Sequence, residues 1–68
     1  MTKQVTVNGT AMEVDDAISI IDLLRAAGVP ANYLAVEIND HVVPRELHAT
    51  QTLVDGDRVE VVTLVGGG

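Results

Sequence analysis

Apolar and polar residues alternate with period two over residues 3–7, which puts Val5 and Val7 on one face of an extended segment. Asn8-Gly9 follows, a pair suited to a two-residue hairpin turn because both central positions need a positive φ. Met12 and Val14 then alternate with Ala11 and Glu13, so the pattern predicts an antiparallel hairpin. The period changes in the next segment. Ile20, Leu23, Leu24 and Ala27 stand at i, i+3, i+4 and i+7, the stripe of a helix with one buried face. Ser19 is placed as the N-cap, Asp22 follows it at capping-box spacing, and Ile18 and Leu23 are spaced as a hydrophobic staple. Gly28 supplies the left-handed position after the last turn, and Pro30 prevents continuation. The helix is predicted over residues 19–27.

Alternation returns with Leu34, Val36 and Ile38 against Ala35 and Glu37, a third strand. Asn39-Asp40-His41 reads as a turn, and Val42-Val43 as a short fourth strand stopped by Pro44, which has no N–H for a ladder. Residues 45–52 are polar apart from Leu47, so a loop or a short helical turn is expected, with Leu53 anchoring it to the core. Asp55-Gly56-Asp57 is a tight turn. A last strand is predicted over residues 58–65, with Val59 and Val61 facing one way and Glu60, Val62 and Leu64 the other. One apolar helix face must cover one apolar sheet face, which predicts a two-layer α+β fold. A β-grasp (ubiquitin-like) arrangement satisfies this order: a mixed sheet of four to five strands packed on one main helix, with the last strand parallel to the first at the sheet centre. The expected domain covers residues 1–65, followed by a flexible C-terminal glycine tail, residues 66–68.

The triple glycine Gly66-Gly67-Gly68 has no side chain to pack and loses much backbone entropy when ordered, so it contributes nothing to a core. It makes a thin thread that can enter a channel too narrow for any residue with a Cβ. At 68 residues the chain is near the size where one core only just outweighs conformational entropy. It contains no cysteine, so it cannot be stapled by disulfides or carry a persulfide or thioester on its own side chains. Its 47% hydrophobic content is mostly aliphatic, with Tyr33 the sole aromatic residue. A net charge of −6 repels phosphate backbones and anionic membranes, and together with the lack of stacking rings argues against nucleic-acid and membrane partners. With no apolar block at Met1-Thr2-Lys3 and no run of membrane-spanning length, a cytoplasmic protein, monomeric when free, is expected.

Internal chemistry is sparse. His41 and His48 form no recognised metal-ligand spacing with Asp40 and Glu46, and are expected to be solvated loop residues. Asp15-Asp16 precedes the helix, where negative charge suits the dipole, and Asp55 and Asp57 flank a turn glycine. Ser19 is a cap with no histidine positioned to activate it. The glycines precede no helix and therefore make no phosphate cradle. No catalytic residue and no metal site is expected in the chain itself. What stands out is the final strand. A two-layer fold covers one sheet face, so Val62 and Leu64 put apolar surface on the open face, leading through Val65 into the glycines. This is the arrangement of a substrate that docks by its sheet and inserts its end.

In length and element order the whole chain resembles the ThiS family of ubiquitin-like sulfur carriers of thiamine (thiazole) biosynthesis. The resemblance rests on Asn8-Gly9, Val43-Pro44-Arg45, Asp55-Gly56-Asp57 and the closing Gly67-Gly68, with Gly66 one glycine more than the usual pair. It implies that the chain is not an enzyme but a protein substrate whose Gly68 carboxylate is joined to AMP and then converted to a thiocarboxylate. The implied partners are a ThiF-like adenylating enzyme that uses ATP and magnesium, a persulfide sulfur donor, and thiazole synthase (ThiG). Gly66, Gly67 and Gly68 would enter the partners' active sites, and Val62, Leu64 and Val65 would form the docking surface. Other readings are a sulfur carrier for molybdopterin or transfer-RNA thiolation, a ubiquitin-like protein modifier, and a non-covalent β-grasp binding module.

Overall fold

The computed structural model describes residues 1–63. Two strands, β1 (Thr2–Val7) and β2 (Thr10–Asp15), form the predicted hairpin in register from Thr2 opposite Asp15 to Val7 opposite Thr10. Asn8 (φ 49°) and Gly9 (φ 85°) both take the positive φ that the two-residue turn requires. Helix α1 (Ile20–Ala26) begins at Ser19, whose hydroxyl accepts the Asp22 N–H at 3.2 Å, and closes on Gly28 at φ 77°. The capping box is half formed, because the Asp22 carboxylate pairs with exposed Arg25 at 3.4 Å. Ile18 packs against the core, as a staple residue should.

Strands β3 (Ala35–Ile38) and β4 (His41–Val42) make a second hairpin around Asn39 and Asp40, which also have positive φ. A 3₁₀ turn follows at Arg45–Leu47, and β5 (Arg58–Val62) is the last strand described. The sheet order is β2-β1-β5-β3-β4, with β5 parallel to β1 and antiparallel to β3. This is the predicted β-grasp arrangement of one main helix on a mixed sheet. Val5, Val7, Val14, Val36, Ile38, Val59 and Val61 line the inner face against Ile20, Leu23 and Leu24, with Leu53 closing one end.

Several expectations need correction. Leu34 lies outside β3 and is exposed, because the turn closed by the Tyr33 N–H on the Pro30 carbonyl buries Tyr33 in its place. The fourth strand is His41–Val42, with Val43 buried beyond it. His48 is not a solvated loop residue: it is 3% exposed, at the C-cap of the 3₁₀ turn, with its ring between the Tyr33 hydroxyl and the Val43 carbonyl. The predicted positions Leu64, Val65, Gly66, Gly67 and Gly68 lie outside the described residues.

Candidate functional site

The site of interest is the end of β5 and the structure around it. β5 lies between β1 and β3, paired with β1 as far as Val59 and with β3 as far as Val62. On the β1 side, the Asn8 side chain takes over where β1 turns away, its Oδ1 accepting the Val61 N–H at 2.8 Å. On the β3 side, Ala35 stands opposite Val62, and the Leu34 N–H donates to the Val62 carbonyl at 2.7 Å. Val62 itself lies on the outer face and is 43% exposed, as the alternation predicted.

A cluster unforeseen in the sequence supports this end of the strand. The Arg45 guanidinium lies 4.6 Å above the Tyr33 ring centre, within cation–π range, and its Nη2–H donates to the Tyr33 carbonyl at 2.8 Å. The Tyr33 hydroxyl meets His48 Nδ1 at 2.7 Å, and His48 Nε2 meets the Val43 carbonyl at 3.0 Å. A carbonyl only accepts, so Nε2 carries the hydrogen, and in the neutral ring Nδ1 accepts from the Tyr33 hydroxyl. Both polar ends of the buried imidazole are thereby satisfied, which is why His48 tolerates burial. The one sequence signal for this cluster was Arg45 in Val43-Pro44-Arg45. Lys3 was also missed, although it shares the parity of Val5 and Val7. It reaches the inner edge and donates to the backbone carbonyls of Asp16 and Leu53.

The outer sheet face has a different character. Glu37 of β3 stands opposite Glu60 of β5, and their carboxylates and that of Asp40 lie within 4.8 Å of one another. Arg58 reaches Asp40 at 3.3 Å; among the described residues no cation pairs with Glu37 or Glu60. Like charges directly across a strand pair are unfavourable. Exposed Val42 lies beside Glu37, and Val62 and Ala35 form the next row. The three carboxylates are on an open surface, where acidic groups commonly gather without an ion.

Asp15, Asp55 and Asp57 hold local backbone in place, as expected. Asp15 caps the Ala17 N–H, Asp55 accepts the Gln4 N–H, and Asp57 accepts from Asn39 and from the Val54 N–H. Two clefts flank the end of α1. One is lined by Ile21, Leu24, Arg25, Pro30 and Tyr33, the other by Val7, Asn8, Met12, Ala27 and Val29. Neither brings together an acid, a base and a nucleophile. No helix among the described residues is long and apolar enough to cross a membrane.

Comparison with known proteins places this geometry. A thiamine biosynthesis protein (ThiS) from Geobacter metallireducens has a crystal structure that superposes with a TM-score of 0.75 at 40% identity, covering 96% of this chain and 99% of that one. Its solution NMR structure gives 0.70 at 40% identity, covering 96% and 87%. A thiazole synthase from Paramagnetospirillum magneticum is 32% identical over 65 residues; the match takes in 96% of this chain but only 20% of the synthase's length. An uncharacterized protein, ycf40, from Pyropia yezoensis is 36% identical over 64 residues, 94% of this chain and 90% of that one. The ThiS family model itself matches residues 5–68, from the middle of β1 through Gly68, and with the β-grasp sheet order this shows that the chain belongs to the ThiS family.

Proposed function

We propose that the protein is a sulfur carrier of thiamine biosynthesis whose working group is the carboxylate of Gly68. The observation that carries this reading is the family match, which runs through the glycines to residue 68 on a domain whose described residues assemble no catalytic constellation. A free α-carboxylate is ionised at neutral pH. Its oxygen attacks the α-phosphorus of ATP held with magnesium by a ThiF-like enzyme, and pyrophosphate leaves. The outer sulfur of a donor protein's persulfide then attacks the acyl carbon, and AMP leaves with the bonding pair. A thiol reduces the resulting S–S bond and frees the glycyl thiocarboxylate. The cysteine-free chain has no thiolate of its own to compete for the acyl group. Thiazole synthase consumes the thiocarboxylate, a reading supported by the thiazole synthase that includes a stretch similar to this chain. Gly66 and Gly67 thread the partners' active sites, and Val62, Leu64 and Val65 form the docking surface beside them.

Intact-mass measurement tests this directly. With the adenylating enzyme, ATP and a persulfide donor, the protein should gain the mass of one oxygen exchanged for one sulfur. Removing Gly68 should abolish the gain and leave the circular dichroism spectrum unchanged. A wild-type protein that acquires neither AMP nor sulfur would sink the proposal.

A further inference from the structure

The Tyr33–Leu34 peptide is held at both ends. The carbonyl of the Tyr33–Leu34 peptide accepts from Arg45 Nη2 at 2.8 Å, and the N–H of the same peptide donates to the Val62 carbonyl at 2.7 Å. A charge-assisted bond to the carbonyl polarises the amide and strengthens its N–H as a donor. It also fixes the plane of the peptide, and so the direction from which the N–H meets Val62. The Leu34 side chain is exposed and contributes little to holding that peptide in place. The hold comes from Arg45, which is itself seated on the Tyr33 ring, while the far end of that ring is tied through His48 to the Val43 carbonyl. The chain of contacts therefore runs from the segment Val43-Pro44-Arg45 through Tyr33 and Leu34 to the last residue of β5.

We infer that Arg45 is a positioning residue for the end of β5: by clamping the Tyr33–Leu34 peptide it fixes the Val62 carbonyl, and through it the base of the carboxy-terminal residues. The inference rests on the proposed use of the Gly68 carboxylate. Effects of that kind appear in the reaction step and not in docking. A carboxylate must meet the α-phosphorus in line, and a displacement of an ångström at its base costs rate even when the domain still binds. Lysine at position 45 keeps the charge and one donor but loses the planar fork and its stacking, so it replaces arginine only in part.

The test uses Arg45→Ala and Arg45→Lys in the full-length protein with the ThiF-like enzyme, magnesium and ATP. Amide hydrogen exchange by NMR reads the clamp without reference to activity. In Arg45→Ala the Leu34 amide should exchange about tenfold faster, while the chemical shifts of the β1–β2 ladder stay at their wild-type values and show that the fold is retained. Adenylate formation at saturating carrier should fall about tenfold, with the KM for the carrier within about twofold of wild type. Arg45→Lys should recover part of both the exchange protection and the rate. Unchanged Leu34 exchange in Arg45→Ala overturns the proposal, as does a loss of activity that lies wholly in KM. Recovery of one readout by lysine without the other also overturns it. A wild-type protein that is not adenylated brings down the sulfur-carrier reading, and this inference with it. A wild-type protein that is adenylated no faster than Arg45→Ala brings down this inference alone.

Discussion

Strands β3 and β5 carry two opposite surfaces on alternate residues. Inward, Val36, Ile38, Val59 and Val61 are buried against the helix. Outward, the same strands show Ala35 and Val62 in one row and Glu37 and Glu60 in the next. The inner face is what packing physics asks for: aliphatic, close-fitting and satisfied. The outer face sets two carboxylates opposite each other with no cation paired to either among the described residues, and exposes Val62 at the end of β5. Stability accounts for the first face and not for the second. Under the proposed function, this is the face that would meet the adenylating enzyme.

Substitutions can break or sharpen that contrast. The largest effect belongs to the inner layer. Leu23→Ala, at a fully buried position of α1, should cost about 2–5 kcal/mol in denaturant titration, a large fraction of what a domain this small holds. Lys3→Ala should come next. It leaves the Asp16 and Leu53 carbonyls without their donor, at a cost of about 1–3 kcal/mol, whereas Gln4→Ala on the opposite face should change the midpoint much less. On the outer face the sign should reverse. Glu60→Gln relieves the repulsion with Glu37 and should raise stability by about 0.2–1 kcal/mol; a loss of stability would show that the pair is not the strain described. Val62→Asp should have the smallest effect on folding, within about 0.5 kcal/mol, yet should weaken binding to the adenylating enzyme in a titration. If it binds as tightly as wild type, the outer face is not the docking surface.

Much of the fold was legible because its signals are local. The Asn8-Gly9 turn, the capped and terminated helix, and the parity of Val5 with Val7 and of Val59 with Val61 all depend on residues a few positions apart. Parity also assigned Val62 correctly to the outer face. The expectation for Leu34 failed for a related reason: alternation alone does not say where a strand begins, and the preceding turn shifted burial onto Tyr33. His48 failed differently. A polar residue in a polar loop reads as solvated unless its partners are known, and they are a hydroxyl 15 residues before it and a carbonyl 5 before it.

By itself, then, the sequence determined the elements, their turns and the inner face, because period, caps and positive-φ residues act over a few residues of chain. Only the tertiary structure decided which distant groups meet. Lys3 finds the Leu53 carbonyl 50 residues away, Arg45 finds the Tyr33 carbonyl across 12, and Glu37 faces Glu60 because two strands pair in one register and not another. Those meetings are set by the closing of the sheet around β5, a balance of packing and ladder hydrogen bonds that no local pattern encodes.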